Sequence, residues 1–462
     1  MLKSNLYQLV KTFNNTEQRK ARLFLESPYF NKRNDIIQLF GLLCQDDLSD
    51  KVELWKAIYP QKAFDDTEMR LLMSYLNRLL EVFLRIEYDQ NRDSENKLKV
   101  AAIYRNRSLE GHYERNMRIF EREINNNPLR NARYHSLLRE YYQERHETTI
   151  RQNPTDVDSL QLLAHHSDQA YIIHRLRLIC LELAQKNVYS SADELQVHEL
   201  ILQLSQRNEW AGEAGIATYL AVIRMLQSPG DTAYYQAFKP LLTNGGQYFD
   251  EIEMRELYTF AINHCIRQTN SGEQNLEQEV LSLYQHALSA GYLFENGVLS
   301  RFTYHNIVAA ALRCDELDWA EMFIVEYRDL LEESYRDSSF SFNKARVDYA
   351  QNRLDSVLEL LQKANYRDPL LNLAAKTLLL KTYFVLGEFD LLQSHLDAMR
   401  NYIRRKKVIG YHRTNYQNII RFTERILNRE PHNKQLQHIL QSEIENESVL
   451  TEKSWLLDIL HS

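Results

Sequence analysis

A residue spacing that recurs four times between positions 280 and 399 most constrains how this chain folds. Each set has an apolar residue, a second one four positions later and a third one three positions after that. The first positions, 280, 320, 357 and 392, are separated by 40, 37 and 35 residues. Because steps of four and three follow one helix face and a repeated offset indicates repeated units, the pattern predicts stacked helix pairs. The sets are Val280, Tyr284 and Ala287; Ala320, Ile324 and Tyr327; Val357, Leu361 and Ala364; and Leu392, Leu396 and Met399.

The residues around the third and fourth sets resemble a known helical repeat. Pro369 follows Ala364 by five residues, and Gly387 precedes Leu392 as a turn residue. This resembles the second helix of the tetratricopeptide repeat, in which a small residue, a large apolar residue, an alanine and a helix-ending proline follow one another. Val357 and Leu392 stand where that family has a small residue. The resemblance covers about residues 250–405 and implies a right-handed α-solenoid, whose helix pairs cover one another's apolar stripes.

Local signals predict helices over the rest of the chain as well. Only 12 glycines and 8 prolines occur in 462 residues, which leaves few turn residues for a sheet-rich fold. Helices are expected at 16–26 and 35–44, and another begins at Asp65 with a capping-box-like Glu68. Asn153-Pro154 is the best boundary. The sequence thus predicts an all-α chain, with a helical region at 1–152 and a TPR-like solenoid at 153–462 that ends in a capping helix at 451–460. A generic helical bundle is the alternative fold.

Motifs for catalysis and cofactor binding are missing from the sequence. It has no GxxxxGK, GxGxxG, GxSxG or HExxH pattern, and its four cysteines are far apart without a CxxC pair. We therefore expect no catalytic residue, no cofactor and no metal, and we expect the thiols to be reduced. The N-terminus does not resemble a secretory signal, and no apolar run approaches about 18 residues, so a cytoplasmic protein is expected.

Histidines provide one route to an enzyme. His165 and His166 are adjacent, and His198 precedes a glutamate. Adjacent helical residues point about 100° apart, so this pair would not converge on one ion unaided. A pocket that gathers several of His165, His166, His174 and His198 would favour a helical enzyme, which is the least favoured function.

Two basic stretches provide an alternative function, nucleic-acid association. They lie at 105–151 and 404–413, the second beginning with Arg404-Arg-Lys-Lys407. Glutamates interleave the first stretch, so ion pairs within helices would explain its arginines. Cations at a helix C-terminus complement the macrodipole, which would explain the second. The net charge of −7 does not indicate a polyanionic partner.

The leading function is a non-enzymatic scaffold that binds a peptide or a partner helix in the solenoid groove. In tetratricopeptide arrays the first helix of each pair lines the concave face, so the resemblance implies a row of groove residues. The row contains amide, guanidinium and ammonium donors with aromatic walls and no carboxylate. It suits a partner with an acidic group or a terminal carboxylate, with Arg346 and Lys381 as the charged contacts. Its residues are His305, Asn306, Arg313, Phe342, Asn343, Arg346, Tyr349, Thr377, Lys381 and Phe384.

Overall fold

The structure is a computed structural model that describes residues 4–45, 50–90, 93–155, 157–186, 195–207, 210, 212–272, 275–363, 366, 368–405, 410–428 and 434–461. Within these ranges the fold is all-α, as predicted, with 23 α-helices. They are α1 (Asn5–Lys11), α2 (Asn15–Glu26), α3 (Asn34–Gln45), α4 (Lys51–Ile58), α5 (Asp66–Gln90), α6 (Asp93–Asn106), α7 (Glu110–Asn126), α8 (Ala132–Gln152), α9 (Asp158–Lys186), α10 (Leu195–Ser205), α11 (Ala214–Gln227), α12 (Thr232–Asn244), α13 (Glu251–Ser271), α14 (Glu277–Ser289), α15 (Arg301–Arg313), α16 (Leu317–Glu326), α17 (Arg336–Ala350), α18 (Leu354–Lys363), α19 (Pro369–Leu386), α20 (Phe389–Arg405), α21 (Gly410–Leu427), α22 (Lys434–Asn446) and α23 (Lys453–His461). Short 3-10 helices lie at Gly246–Tyr248 and Arg328–Leu330, and the strands are β1 (Phe294–Glu295) and β2 (Val298–Leu299).

The chain divides into two compact units, Met1–Ile172 and Ile173–Ser462. The helix stop predicted at Asn153-Pro154 separates α8 from α9, whereas the division between the units falls inside α9. The helix break and the unit division therefore do not coincide. The assignment of 1–152 and 153–462 to separate regions stays a prediction.

The first unit begins with five helices around one apolar core. The cap predicted at Asp65 is present: its carboxylate accepts a hydrogen bond from the Glu68 backbone N–H at 3.0 Å. Trp55 is buried in this core, and its indole N–H donates to the Ala63 carbonyl at 3.0 Å. Helices α6, α7 and α8 form a second core around Met117 and Phe120. A break at Ser108, which has a φ of 56°, separates α6 from α7.

In the second unit each helix from α11 to α20 contacts the next one along the chain. Contacts also join α11 to α13, α15 to α17 and α17 to α19, so these alternate helices meet as well. The residues predicted to pack between helices are buried where they are described; Ala364 lies outside the described residues. The buried ones are Val280, Ala287, Ala320, Val357 and Leu392.

The last helices complete a separate apolar cluster. Leu392, Leu396 and Met399 of α20 pack there with residues of α21 and α22 and with Leu456 and Leu460 of α23. The predicted helix at 451–460 corresponds to α23.

A small hairpin was not predicted. Strands β1 and β2 pair in antiparallel fashion across Asn296-Gly297, and both turn residues have positive φ, 51° and 78°. Asn-Gly is the strongest short hairpin signal, because both central residues of a type I′ turn need positive φ. The expectation of helices alone was wrong at this turn.

One described helix, α19, is long and apolar enough to cross a membrane by length and composition. Its window has a mean hydropathy of 1.2, and 44% of it is buried inside the protein. Leu373 and Leu380 on this helix pack in the same cluster as Leu392 and Leu396 of α20. Packing between helices therefore accounts for the apolar composition of α19.

Candidate functional site

The ten predicted groove residues lie on three alternate helices, α15, α17 and α19. Helix α15 carries His305, Asn306 and Arg313, and helix α17 contacts both α15 and α19. Caps fix the ends of these helices: the Ser300 hydroxyl accepts from the Phe302 N–H, and α19 ends at Gly387 with a φ of 72°. The remaining residues are Phe342, Asn343, Arg346 and Tyr349 on α17 and Thr377, Lys381 and Phe384 on α19.

A hydrogen-bond network joins three of the ten residues at the contact of α15 with α17. The Arg346 guanidinium donates to the Asn343 side-chain oxygen at 3.2 Å and to the His305 carbonyl at 3.3 Å. The Asn343 amide nitrogen lies 2.7 Å from His305 Nδ1 and also donates to the Ser339 carbonyl at 2.9 Å. These partners fix the Asn343 amide with its oxygen toward Arg346. His305 Nδ1 must then accept, so the imidazole is neutral and carries its proton on Nε2.

The electrostatics of this network disfavour a second positive charge. Burial, together with the nearby Arg346 and Arg301 charges, lowers the pKa of His305 to about 4. Burial also lowers the pKa of Arg346 to about 10; the Arg313 charge adds to this effect and the Glu452 charge opposes it. Among the described residues no carboxylate lies within ion-pairing distance of Arg346. The guanidinium is held by neutral acceptors alone.

The Lys381 end of the row is covered by the chain itself. The Lys381 ammonium pairs with the Glu452 carboxylate at 2.9 Å and lies 5.6 Å from the centre of the Trp455 ring. Phe384 packs edge-on against the same tryptophan, with ring centres 6.0 Å apart. The ammonium also lies 5.7 Å from the Tyr349 ring. Glu452 and the first turn of α23 therefore occupy this end and place a carboxylate in a row predicted to have none.

The remaining row residues differ in exposure. Thr377 is buried, and its hydroxyl donates to the Leu373 carbonyl of the same helix at 3.0 Å, so it is not available to a ligand. Phe342 is buried edge-on to His305. Asn306 and Arg313 are exposed. Asn306 and Arg313 are thus the open residues on α15, and Arg346 on α17 is partly exposed.

The charges of the row are unbalanced toward the positive. Arg313, Arg346 and Lys381 are opposed by Glu452 and by Glu277, which lines a small crevice with Arg313. Among the described residues, Lys381 is the one of the three with a carboxylate at ion-pairing distance. The row therefore has two guanidinium groups without a paired carboxylate, the exposed Arg313 and the partly exposed Arg346.

Of the four histidines named for the enzyme hypothesis, His165 and His166 are neighbours with ring centres 5.2 Å apart. The Nδ1 atom of His166 lies 3.3 Å from Nδ1 of His135 and 3.0 Å from the side-chain amide oxygen of Gln169. His165 and His174 are exposed, and the His198 side chain lies outside the described residues. Across the described ranges no three His, Cys, Asp or Glu side chains are grouped as metal ligands.

Three arginines of the stretch 105–151 pair with glutamates of other helices, and one pairs within its own helix. Arg105 of α6 pairs with Glu144 of α8 at 2.9 Å, and Arg145 of α8 pairs with Glu114 of α7 at the same distance. Arg133 of α8 pairs with Glu95 of α6, whereas Arg139 pairs with Glu140 of the same helix α8 at 3.7 Å. Ion pairs were expected within helices; most of the pairs in the described residues join packed helices instead. In the stretch 404–413, Arg404, Arg405 and 410–413 are described, and Lys406 and Lys407 lie outside the described residues.

Comparison of the chain with protein-family models, curated proteins and solved structures found no match.

We expect the second unit to lose stability as the pH falls from about 6.5 toward 4. The pKa of His305 is lowered to about 4, and burial with the Arg267 charge lowers that of His264 to about 4 as well. A folded pKa below the unfolded value near 6.5 means that the unfolded chain binds the proton first, so stability is complete above that pH and declines below it. Each histidine adds up to about 1.4 kcal/mol per pH unit. Thermal unfolding at pH 7.5 and pH 5 measures this, and His305→Gln should decline less steeply. Equal midpoints at the two pH values would contradict the assignment.

Proposed function

We propose that the second unit is a tetratricopeptide-like α-solenoid that acts as a non-enzymatic scaffold. It binds an acidic peptide or partner segment along α15 and α17. Arg346 is the principal contact and Arg313 is the second one.

Support for the solenoid arrangement comes from the order of helix contacts. Successive helices pack in sequence, and α17 also contacts the first helices of the preceding and following pairs. In stacked helix pairs, first helices line one face and second helices line the other. The burial of Val280, Ala320, Val357 and Leu392 on second helices agrees with this arrangement.

The binding proposal rests on one observation: among the described residues, no carboxylate pairs with the Arg346 guanidinium. A half-buried charge costs free energy unless it is paired, and a hydrogen bond to Asn343 and one to the His305 carbonyl leave its charge uncompensated. Neighbouring Arg313 increases that cost. An incoming carboxylate would form a charge-assisted, bidentate pair with the guanidinium and relieve the repulsion.

Geometry restricts where such a ligand lies. Glu452 and Trp455 already occupy the Lys381 end of the row, so Lys381 serves the docking of α23. The proposed ligand therefore contacts α15 and α17, with its acidic group at Arg346. Tyr349, which is partly exposed one turn after Arg346 on α17, provides aromatic surface beside it.

Replacing Arg346 with methionine is expected to abolish binding without loss of stability. Methionine keeps much of the apolar stem and removes an uncompensated charge, so the free energy of unfolding should stay equal or rise. Affinity capture from the native cell with the wild-type chain and with Arg346→Met, followed by mass spectrometry, measures the binding. Urea unfolding of both chains measures the stability.

Arg328→Met is the matched control. Arg328 is partly exposed, pairs with Asp337 at 2.8 Å and belongs to the same unit. Partners that are lost from Arg346→Met should remain on this control. A folded Arg346→Met chain that retains every partner would end the groove proposal, and a large loss of stability would instead give Arg346 a structural role.

Nucleic-acid association is the less favoured function. Arg105, Arg133 and Arg145 in the first basic stretch are paired with glutamates of neighbouring helices, which reduces the positive charge available to phosphates. In the described part of the second stretch, Arg404, Arg405 and Arg413 have no ion pair, and Arg404 and Arg413 line a cleft.

A further inference from the structure

A cleft between α20 and α21 is lined by four arginines and one glutamate. Its volume is about 370 Å³, and the arginines are Arg400, Arg404, Arg413 and Arg421. Buried Ile403 and Ile420 form apolar lining between them. The volume is that of a small ligand site, with a floor for an organic group and a rim of positive charge.

The four arginines differ in their partners. Arg400 pairs with Asp397 at 2.6 Å and contacts the Glu424 carboxylate, and Arg421 pairs with Glu447 at 3.0 Å. Arg404 donates only to the neutral side-chain oxygen of Asn401 at 3.0 Å. In the part of the chain that the structure describes, Arg413 has no ion pair or hydrogen bond. Two guanidinium groups of the cleft are therefore available to an anion.

The helix dipoles account for one of these two arginines and not for the other. Arg404 lies in the last turn of α20, where a cation complements the macrodipole. Arg413 lies in the first turn of α21, which has no acidic residue. A cation at a helix N-terminus is disfavoured by the same dipole. A residue that opposes its local structure and also lines a cavity indicates a binding role.

We infer that this cleft binds a phosphate monoester, with Arg404 and Arg413 on the phosphate and the two isoleucines against the organic group. Planar guanidinium groups match the oxygen geometry of phosphate and bind it bidentately. The monoester carries a charge between about −1.5 and −2 at pH 7, which two arginines balance. The source is either a small phosphorylated molecule or a phosphorylated side chain of a partner, because both present the same group.

The charges beside the cleft disfavour a nucleic-acid strand. Asp397, Glu424 and Glu447 flank Arg400 and Arg421. Successive phosphates of a strand would approach these carboxylates, whereas a single phosphate in the cleft reaches Arg404 and Arg413. Polyanion binding needs a continuous basic track, and this surface alternates in sign.

Isothermal titration of the full chain with phenyl phosphate and with a short phosphoserine peptide tests the inference. Saturable binding of either probe is expected, and phenol should not bind. Arg413→Gln should weaken the binding at least about tenfold, because a charge-assisted hydrogen-bond pair is removed. Arg405→Gln is the matched control. It removes one positive charge from the end of α20, next to Arg404, and Arg405 does not line the cleft. Tighter binding of phenyl phosphate assigns the site to a free metabolite, and tighter binding of the peptide assigns it to a modified partner.

Three results would overturn the inference. The first is that neither phosphate probe gives saturable binding. The second is that Arg405→Gln weakens binding as much as Arg413→Gln does, and the third is that a single-stranded oligouridine binds and phenyl phosphate does not displace it. The third result would show that the cleft binds nucleic acid instead of a phosphate monoester.

Discussion

Replacing Leu392 with alanine should lower the free energy of unfolding of the second unit by about 2–5 kcal/mol. Leu392 is fully buried on α20 and packs in one cluster with Leu373 and Leu380 of α19. Alanine removes three heavy atoms from this cluster and leaves a cavity that rigid helices fill only in part. Urea unfolding monitored by circular dichroism measures the change.

The neighbouring residue provides the control. Leu391 is 52% exposed, so Leu391→Ala should change the free energy of unfolding by no more than about 0.5 kcal/mol. Equal losses in the two variants would contradict the helix register that places the repeat position at 392 rather than 391.

Replacing Asp348 with alanine should cost about 3 kcal/mol, near the low end for breaking a buried ion pair. The Asp348 carboxylate is buried and accepts from Lys344 at 2.6 Å and from Ser356 at 2.6 Å, and it also contacts Arg353. Burial alone would raise the pKa of Asp348, but these hydrogen bonds lower it. The variant leaves two cations facing a buried gap between α17 and α18. Both cations are partly exposed and also reach Glu321, which limits the loss.

Glu321→Ala is the comparison for that variant. Glu321 pairs with the same two cations, but its side chain is 35% exposed, so its removal should cost only about 0–1 kcal/mol. Thermal unfolding of both variants measures the difference. If Glu321→Ala proved as costly as Asp348→Ala, the buried carboxylate would not be the centre of this network.

Periodicity and caps in the sequence were sufficient to predict most of the helices. The positions 280, 320, 357 and 392 follow from side-chain spacing, which is a local property, and all four are buried. The Asn296-Gly297 hairpin was not predicted, although an Asn-Gly pair is itself a local hairpin signal. The break at Ser108 was missed as well, since only backbone torsion marks it.

The candidate site was predictable only in part. The tetratricopeptide resemblance implied that Arg346, Asn343 and His305 belong to one row, and the structure joins these three through hydrogen bonds between α15 and α17. The contact between Lys381 and Glu452 joins residues 71 positions apart, and no pattern along the chain predicts such a pairing. The helix at 451–460 was expected to cover an open face, but the sequence could not indicate that this face includes the end of the row.

The proposed recognition of a carboxylate by Arg346 is tested most directly with a peptide array. The full chain is applied to peptides with acidic C-termini, each printed beside a twin in which every carboxylate is replaced by an amide. We predict binding to acidic members and not to their twins, with the signal lost for Arg346→Met and retained for Arg328→Met. Equal binding to peptides and twins, or signals that survive in Arg346→Met, would contradict the claim.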